Sequence, residues 1–259
     1  MESRYPFILV HGIVIKDYKF FRAFGKIEKE LRLAGYKVYT AKIDGFGTLE
    51  NNASQLKSHI EQILDIEKTD KINIIAHSKG GLDSKYMIEN MDMKNRVASL
   101  TTLCTPHRGS KIADKILGLP KHLISFVAFW INLTYRFFGD KKPDALQVCK
   151  QLRSISEDQY ENIQLSSTIY CQSYSSTLKK SCDDILMGIP LIISKHYDKN
   201  PSDGLVTSDS SKFGVYRGDC IDGSISHSEI VGFAASKKKK QKIYNFYLNL
   251  CKELSEMGF

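Results

Sequence analysis

The most constraining feature of the sequence is the segment at residues 71–82, KINIIAHSKGGL. A short run rich in β-branched residues predicts a buried strand, a serine between small residues follows, and an apolar helical pattern begins after Gly80. The stretch AHSKG fits the G-x-S-x-G turn, with alanine in place of the first glycine, in the strand, turn and helix order that this motif requires. Such a turn exposes the serine hydroxyl beside the free N–H groups of a helix start. We therefore predict that Ser78 is a nucleophile rather than a serine that only caps the helix.

Strand and helix patterns alternate along most of the chain. Apolar runs predict strands at residues 7–10, 36–43, 72–76 and 98–104, with weaker candidates at 168–174 and 191–194. Helical spacing predicts a helix that Asp17 caps and that includes Phe20, others at about 53–64 and 80–90, and a last one over about 237–256. The length of 259 residues suits one core. The sequence predicts a single α/β domain over residues 1–259, with a mostly parallel sheet covered by helices on both faces.

One segment interrupts this alternation, at residues 117–138, LGLPKHLISFVAFWINLTYRFF. A membrane span needs about 20 uninterrupted apolar residues. Pro120, Lys121, His122 and Arg136 leave a shorter stretch than that. Two interpretations remain from the residues alone, a buried core helix or a mobile apolar cover over a substrate site.

A serine nucleophile needs a base and a third group that orients the base. In this architecture the order along the chain is serine, then aspartate or glutamate, then histidine. The histidines are His11, His59, His77, His107, His122, His196 and His227. Only the last two lie late enough, and His227 stands in a small-residue loop, GSISHSEIVG, directly before the final helix. We predict His227 as the base and interpret His196 as a surface or strand-end residue.

Several aspartates could orient that base. The candidates are Asp183, Asp184, Asp198, Asp203, Asp209, Asp219 and Asp222. Asp203 lies in NPSDGLV, a turn before an apolar pair, which is the kind of strand-end loop that can present a carboxylate inward. The residues alone leave open whether Asp203 has this role or is a plain turn residue.

Four segments in order, FILVHGI, INIIAHSKGGLDSKY, TLCTPHRGS and NPSDGLVTSDSSKFG, extend over much of residues 5–232. Together they resemble the bacterial true lipases of the Pseudomonas and Burkholderia kind, α/β hydrolases that act on triacylglycerols. The resemblance implies that Asp203 and His227 complete a triad with Ser78. It also implies that the backbone N–H groups of Ile13 and Lys79 form an oxyanion hole, in which the Lys79 side chain has no part.

The resemblance bears on three further features. These lipases carry a helical lid after TPHRGS, which favours a lid or cap at about residues 112–150 over a buried helix. The family often has a disulfide cysteine shortly after DGLV, which TSDSSKFG lacks. Many members hold a structural calcium near the histidine, and here only Glu229 could replace its ligand. We predict no cofactor or metal and leave calcium open.

The net charge of +8 has a local source at residues 236–242, SKKKKQK. This cluster suggests a solvated helix turn, or a weak contact of Lys237, Lys238, Lys239 and Lys240 with an anionic membrane. Aromatic and arginine residues are not interleaved with the cluster as in nucleic-acid platforms, so no nucleic-acid partner is predicted. The six cysteines form no C-x-x-C pair. The first residues lack a signal-peptide pattern, which favours a cytoplasmic protein, although a trimmed secreted form would look the same.

We therefore expect a serine ester hydrolase, foremost a triacylglycerol lipase that acts through an acyl-enzyme on substrate at a lipid–water interface. A short-chain esterase or a phospholipase is the alternative. From another class, the chain could be a catalytically silent hydrolase fold that docks on membranes.

Overall fold

A parallel β-sheet forms the centre of the computed structural model, which describes residues 3–13, 22–156, 159–160, 169–197 and 199–259. Six strands pair in the order β2-β1-β3-β4-β5-β6, and each neighbouring pair is parallel. The strands are β1 (Phe7–Val10), β2 (Val38–Thr40), β3 (Ile72–His77), β4 (Val97–Leu103), β5 (Tyr170–Ser175) and β6 (Val215–Asp219). The carboxyl ends of parallel strands meet at one edge, so residues that follow different strands can gather there.

Helices cover both faces of this sheet. They are α1 (Ile27–Leu33), α2 (Leu49–Glu67), α3 (Lys79–Asn90), α4 (Lys111–Leu117), α5 (Lys121–Phe137), α6 (Ala145–Gln151), α7 (Ile185–Tyr197) and α8 (Lys237–Glu256). Short 3-10 helices lie at Lys94–Arg96, Ser181–Asp183 and Glu229–Val231. The predicted α/β-hydrolase fold, with a mostly parallel sheet between helices, is confirmed.

Two apolar cores lie on opposite faces of the sheet, and strand β1 contributes to both. Phe7 and Leu9 pack with α1 and α8 on one face, whereas Ile8 and Val10 pack with α2 and α3 on the other. Successive side chains of a strand point to opposite faces. A strand buried on both sides therefore needs an unbroken apolar run, which is why FILV is visible in the sequence.

Several strand and helix boundaries agree with the sequence prediction, and others differ. β2 is shorter than the predicted 36–43, and β5 begins at Tyr170, whereas Thr168 lies outside the described residues. The predicted helix start at Asp17 and Phe20 also lies outside them. The last helix has the predicted bounds.

The strand predicted at residues 191–194 is wrong, because this segment belongs to helix α7. The helix contains Pro190 and exposes Ile189, Ile192 and Ile193 to solvent. A short apolar run does not distinguish a strand from a helix by periodicity alone. The sequence analysis also missed β6, which lies at the edge of the sheet and has mostly exposed residues, so its sequence lacks an apolar pattern.

The apolar segment at residues 117–138 contains helix α5, which lies on the surface. Ala128 is its only buried residue, and Phe126, Phe129 and Phe137 are 62%, 60% and 78% exposed. The interpretation as a buried core helix is therefore wrong. Among the described residues, no single helix is long and apolar enough to cross a membrane. Helices α4 and α5 taken together have the length and apolar composition of a span, but they are bent by 114° relative to each other.

Candidate active site

Ser78 stands on a strained corner between β3 and α3. Its backbone has φ 55° and ψ −133°, a combination that non-glycine residues rarely adopt and that persists only when the surroundings impose it. Neighbouring backbone lies very close to this corner. A Cβ at Gly12 would lie 2.7 Å from the Ser78 Cβ, and one at Gly80 would lie 2.5 Å from the His11 carbonyl oxygen. Glycine at these two positions lets the chain pass close enough to hold the serine in place.

The structure brings together the three predicted residues, Ser78, His227 and Asp203. His227 Nε2 lies 2.8 Å from Ser78 Oγ, and His227 Nδ1 lies 2.7 Å from Asp203 Oδ2. With Asp203 ionised, the imidazole donates from Nδ1 to the carboxylate and accepts the serine hydroxyl proton at Nε2. Residues separated by up to 149 positions thus form one hydrogen-bonded chain.

The turn around Asp203 orients its carboxylate. The N–H groups of Leu205 and Val206 donate to Oδ1 at 2.9 and 2.8 Å, which leaves Oδ2 for the imidazole. The backbone N–H of His227 also donates to the Asp203 carbonyl, at 3.0 Å. The question that the sequence left open is therefore answered, because Asp203 is a turn residue and a partner of His227 at once.

Another histidine, His77, forms one wall beside His227. The two ring centroids are 4.6 Å apart, and burial lowers the pKa of His77 well below its usual value. A neutral neighbour does not repel the positive charge that His227 acquires when it takes a proton. His196, the other late histidine, lies exposed near the end of α7, as the sequence analysis predicted.

The two predicted oxyanion donors lie beside the nucleophile. Ile13 lines the same cavity as Ser78, and Lys79 is the first residue of α3. A Cβ at Gly12 would lie 3.0 Å from the Lys79 backbone nitrogen, which shows how closely the 11–13 loop approaches this helix start. The first N–H groups of a helix have no partner within the helix and carry its positive dipole end.

The sequence analysis missed the environment of the Lys79 side chain. This side chain is 1% exposed, and its Nζ lies 2.5 Å from Oδ1 of the equally buried Asp83. Burial raises the pKa of Asp83, and the lysine opposes that shift. The four-residue spacing of the two charges on one helix was a visible signal. Their burial was not, because it depends on what packs against α3.

A cavity of about 710 Å³ opens above Ser78 and His227. Its walls come mainly from α4, α5, α6 and α7, and they include Ile116, Val127, Leu146 and Leu186. A volume of this size is within the usual range for small-molecule sites. The reactive hydroxyl therefore faces a space suited to an apolar chain.

The residues near His227 do not fit a calcium site. Both oxygens of Glu229 lie 2.7 Å from Lys239 Nζ, and one of them also accepts the Ser226 N–H. Calcium requires several oxygen ligands, and here a lysine already neutralises Glu229, while the nearby Asp184 carboxylate accepts hydrogen bonds from Ser226 and Ser228. Cys104, Asp203 and His227 have possible ligand atoms within 4.8 Å of one another, but two of these residues are hydrogen-bonded to each other.

A strained serine at the carboxyl edge of a parallel sheet, linked through histidine to aspartate, defines the class of α/β hydrolases. Within this class, the chain belongs to the palmitoyl protein thioesterase family, whose family model matches residues 6–175.

Curated relatives of known name include several lipases. Triacylglycerol lipase 2 of Saccharomyces cerevisiae is 29% identical over 253 residues, which cover 90% of this chain and 73% of that protein. The triacylglycerol lipases of Pseudarthrobacter phenanthrenivorans and Burkholderia plantarii are each 40% identical over 126 residues, which cover 46% of this chain. The chain matches only 38% and 34% of their lengths.

Solved structures of similar fold include two ester hydrolases. The lipase of Staphylococcus hyicus has a TM-score of 0.70 at 16% identity, with 97% of this chain and 95% of that chain covered. A metagenomic carboxyl esterase has a TM-score of 0.74 at 15% identity, with 98% and 76% covered. These structures confirm the fold, and the lipase relatives confirm the predicted class of ester hydrolase.

Proposed function

We propose that the protein is a triacylglycerol lipase of the Pseudomonas and Burkholderia kind that cleaves long-chain acylglycerol esters. The observation that carries this proposal is the hydrogen-bonded chain from Ser78 through His227 to Asp203, which opens into the apolar cavity. The lipase relatives described above support the choice of substrate.

In the proposed reaction, Ser78 Oγ attacks the ester carbonyl while His227 Nε2 takes its proton. The tetrahedral intermediate then collapses, the bond to the alcohol breaks, and His227 returns the proton to the leaving alcohol. A water molecule, deprotonated by His227, releases the fatty acid from the acylated serine. Asp203 holds the ring and stabilises its charged form in both halves of the reaction.

The backbone N–H groups of Ile13 and Lys79 would stabilise the negative oxygen of the intermediate. Each such donor is worth about 3 kcal/mol of transition-state stabilisation. Support for this assignment comes from the close approach of the 11–13 loop to the Lys79 nitrogen.

Residues 112–150 would act as a lid within the single domain formed by residues 1–259. Helix α5 lines the cavity with one side and exposes large apolar residues on the other. An apolar surface of this kind is unfavourable in water and favourable against lipid. A lid should therefore open at a lipid–water interface, which fits emulsified substrates better than dissolved ones.

Activity-based labelling tests the nucleophile and the reaction class together. A fluorophosphonate should label Ser78 stoichiometrically, and Ser78→Ala should lose roughly a million-fold in turnover of a nitrophenyl ester. Ser58→Ala, at an exposed serine of α2, is the matched control and should keep full activity. Hydrolysis by Ser78→Ala at a near wild-type rate would refute the assignment of Ser78 as the nucleophile. A protein that is not labelled but still binds membranes would instead be a catalytically silent hydrolase fold.

A substrate panel separates the lipase from its alternatives. For a lipase, we expect the highest kcat/KM with emulsified long-chain glycerides. Preference for dissolved short esters would identify an esterase, and preference for phospholipids a phospholipase. The family match makes a palmitoyl thioester the natural additional substrate in this panel.

A further inference from the structure

A buried polar network extends from Lys79 away from the active site. Lys79 Nζ donates to Asp83 Oδ1 at 2.5 Å. Asn52 of α2 donates from Nδ2 to Asp83 Oδ2 at 3.0 Å and to the Asp44 carbonyl at 2.8 Å. These four residues are each no more than 1% exposed. Three hydrogen bonds in sequence, through Asp83 and Asn52, thus connect the side chain of the residue after the nucleophile to the loop between β2 and α2.

The same loop holds the base of α5. Asp44 Oδ2 accepts the N–H groups of residues 141 and 142, both at 2.9 Å. In return, Asp140 accepts the N–H groups of residues 45 and 46, at 3.1 and 2.9 Å. Gly47 and Pro143 form an antiparallel bridge beside these contacts. The C-terminal end of α5 is therefore fixed to the loop by reciprocal hydrogen bonds from two aspartates.

A buried ion pair is a poor way to gain stability. The cost of removing two charges from water often cancels their attraction, and an apolar pair of similar size is commonly as stable or more so. Asn52 also has a buried Oδ1 without a hydrogen-bond partner among the described residues. A buried ion pair is therefore weak evidence for a role in stability, whereas the position of this one, one residue from Ser78, favours a role in geometry.

We propose that Asp83 is a positioning residue that acts through Lys79 and Asn52. It holds the Lys79 backbone N–H at the oxyanion position and ties that residue to the loop that anchors α5, so one buried carboxylate fixes both the oxyanion donor and the base of the lid. This inference rests on the proposed function, because it assigns Lys79 as an oxyanion donor.

Asp83→Asn keeps the shape of the side chain and removes its charge, so Lys79 loses the carboxylate to which its ammonium is hydrogen-bonded. With a soluble nitrophenyl ester, we expect kcat to fall 10- to 100-fold while KM changes less than twofold, because an oxyanion donor acts mainly in the transition state. The affinity for a trifluoromethyl ketone, which forms a tetrahedral adduct with the serine, should fall by a similar factor.

The double variant Lys79→Met/Asp83→Leu separates positioning from charge neutralisation. It removes both charges, so we expect its melting temperature to return to the wild-type value while its kcat stays low. Lys252→Met/Glu256→Leu replaces an exposed pair of the same spacing on α8 and should leave kcat unchanged. Recovery of kcat together with stability in the Lys79/Asp83 double variant would overturn the proposal. If Asp83→Asn does not fold, this double variant decides alone.

Hydrogen exchange tests the connection to the lid. The N–H groups of residues 141–142 should exchange faster in both Asp83 variants than in the wild type, whereas those in the middle of α8 should not change. Unchanged exchange at 141–142 would remove the lid from the proposal. Failure of the proposed function would appear separately, as wild-type protein without hydrolysis that depends on Ser78.

Discussion

The corner around Ser78 and the cover formed by α5 and α7 line the same cavity, yet they are held in opposite ways. At the corner, neighbouring backbone lies so close to Gly12 and Gly80 that a Cβ at either position would clash, and the serine keeps a strained backbone. In the cover, large apolar residues such as Phe129 and Ile189 face solvent. Close packing permits one arrangement of the reacting groups. An exposed apolar cover, in contrast, is suited to contact with another apolar surface.

The corner and the cover also differ in how much free energy of apolar burial they have gained on folding. Burial of a Phe or Ile side chain is worth about 1.5–3 kcal/mol. At the corner, folding has already gained this energy. In the cover much of it remains to be gained, which is the energy that would drive the proposed opening of the lid on lipid.

The same substitution at the corner and at Gly118, just before helix α5 of the cover, gives the largest expected contrast. Gly80→Ala puts a Cβ 2.5 Å from the His11 carbonyl, so we expect a loss of roughly 3 kcal/mol in unfolding free energy together with most of the activity. Gly118→Ala, at the end of α4, meets only ordinary contacts of 3.4 Å or more and should change stability by less than about 0.5 kcal/mol. Urea unfolding measures both, and equal effects would remove the distinction between the regions.

A charge on the cover should weaken interfacial hydrolysis. Phe129→Asp is expected to lower the rate on emulsified long-chain glyceride about tenfold, which corresponds to roughly 1.4 kcal/mol of lost lipid contact. Its rate on a dissolved short ester should stay unchanged. Leu33→Asp, at a 72% exposed position of α1, is the control. Trp130 is the only tryptophan and lies half-exposed on α5, so its emission should shift to the blue on lipid in the wild type.

An equal loss of rate on the dissolved ester in Phe129→Asp would mean that the substitution damages the catalytic site rather than the contact with lipid.

The smallest effect is expected at the lysines that begin α8. Lys237 and Lys238 are exposed, whereas Lys239 pairs with Glu229. A lysine near an anionic surface contributes about 1 kcal/mol, so Lys238→Gln should weaken binding to phosphatidylglycerol vesicles about fivefold at low salt. Lys252→Gln, near the other end of the helix, should have no such effect. Binding that ignores both the substitution and added salt would exclude this contact.

Local sequence was sufficient for the features that depend on local physics. The strand before Ser78 is largely apolar because all of its residues are buried, and the corner at Ser78 needs small residues because neighbouring backbone lies close. Helical spacing likewise gave the bounds of α8.

Features that depend on distant contacts were not visible in the same way. The short apolar run in α7 fits a strand as well as a helix, and only the tertiary contacts decide between them. The edge strand β6 lacks an apolar pattern altogether. The contact between Asn52 and Asp83 joins residues 31 positions apart, and the one between Asp44 and the base of α5 joins residues nearly 100 apart. Which polar groups are buried together depends on the fold as a whole.

The hydrogen bonds of Asp44 and Asp140 fix α5 at its C-terminal end only, so a rotation of the helix about this end would move its other end farthest. Seventeen residues span about 25 Å, so a rotation of roughly 30° about the anchored end displaces the far end by about 13 Å. In such a rotation the Lys121 end moves farthest, while Asp140 and its hydrogen-bond partners stay in place. In the proposed lid movement, a small change at the anchored end would therefore give a wide opening at the Lys121 end.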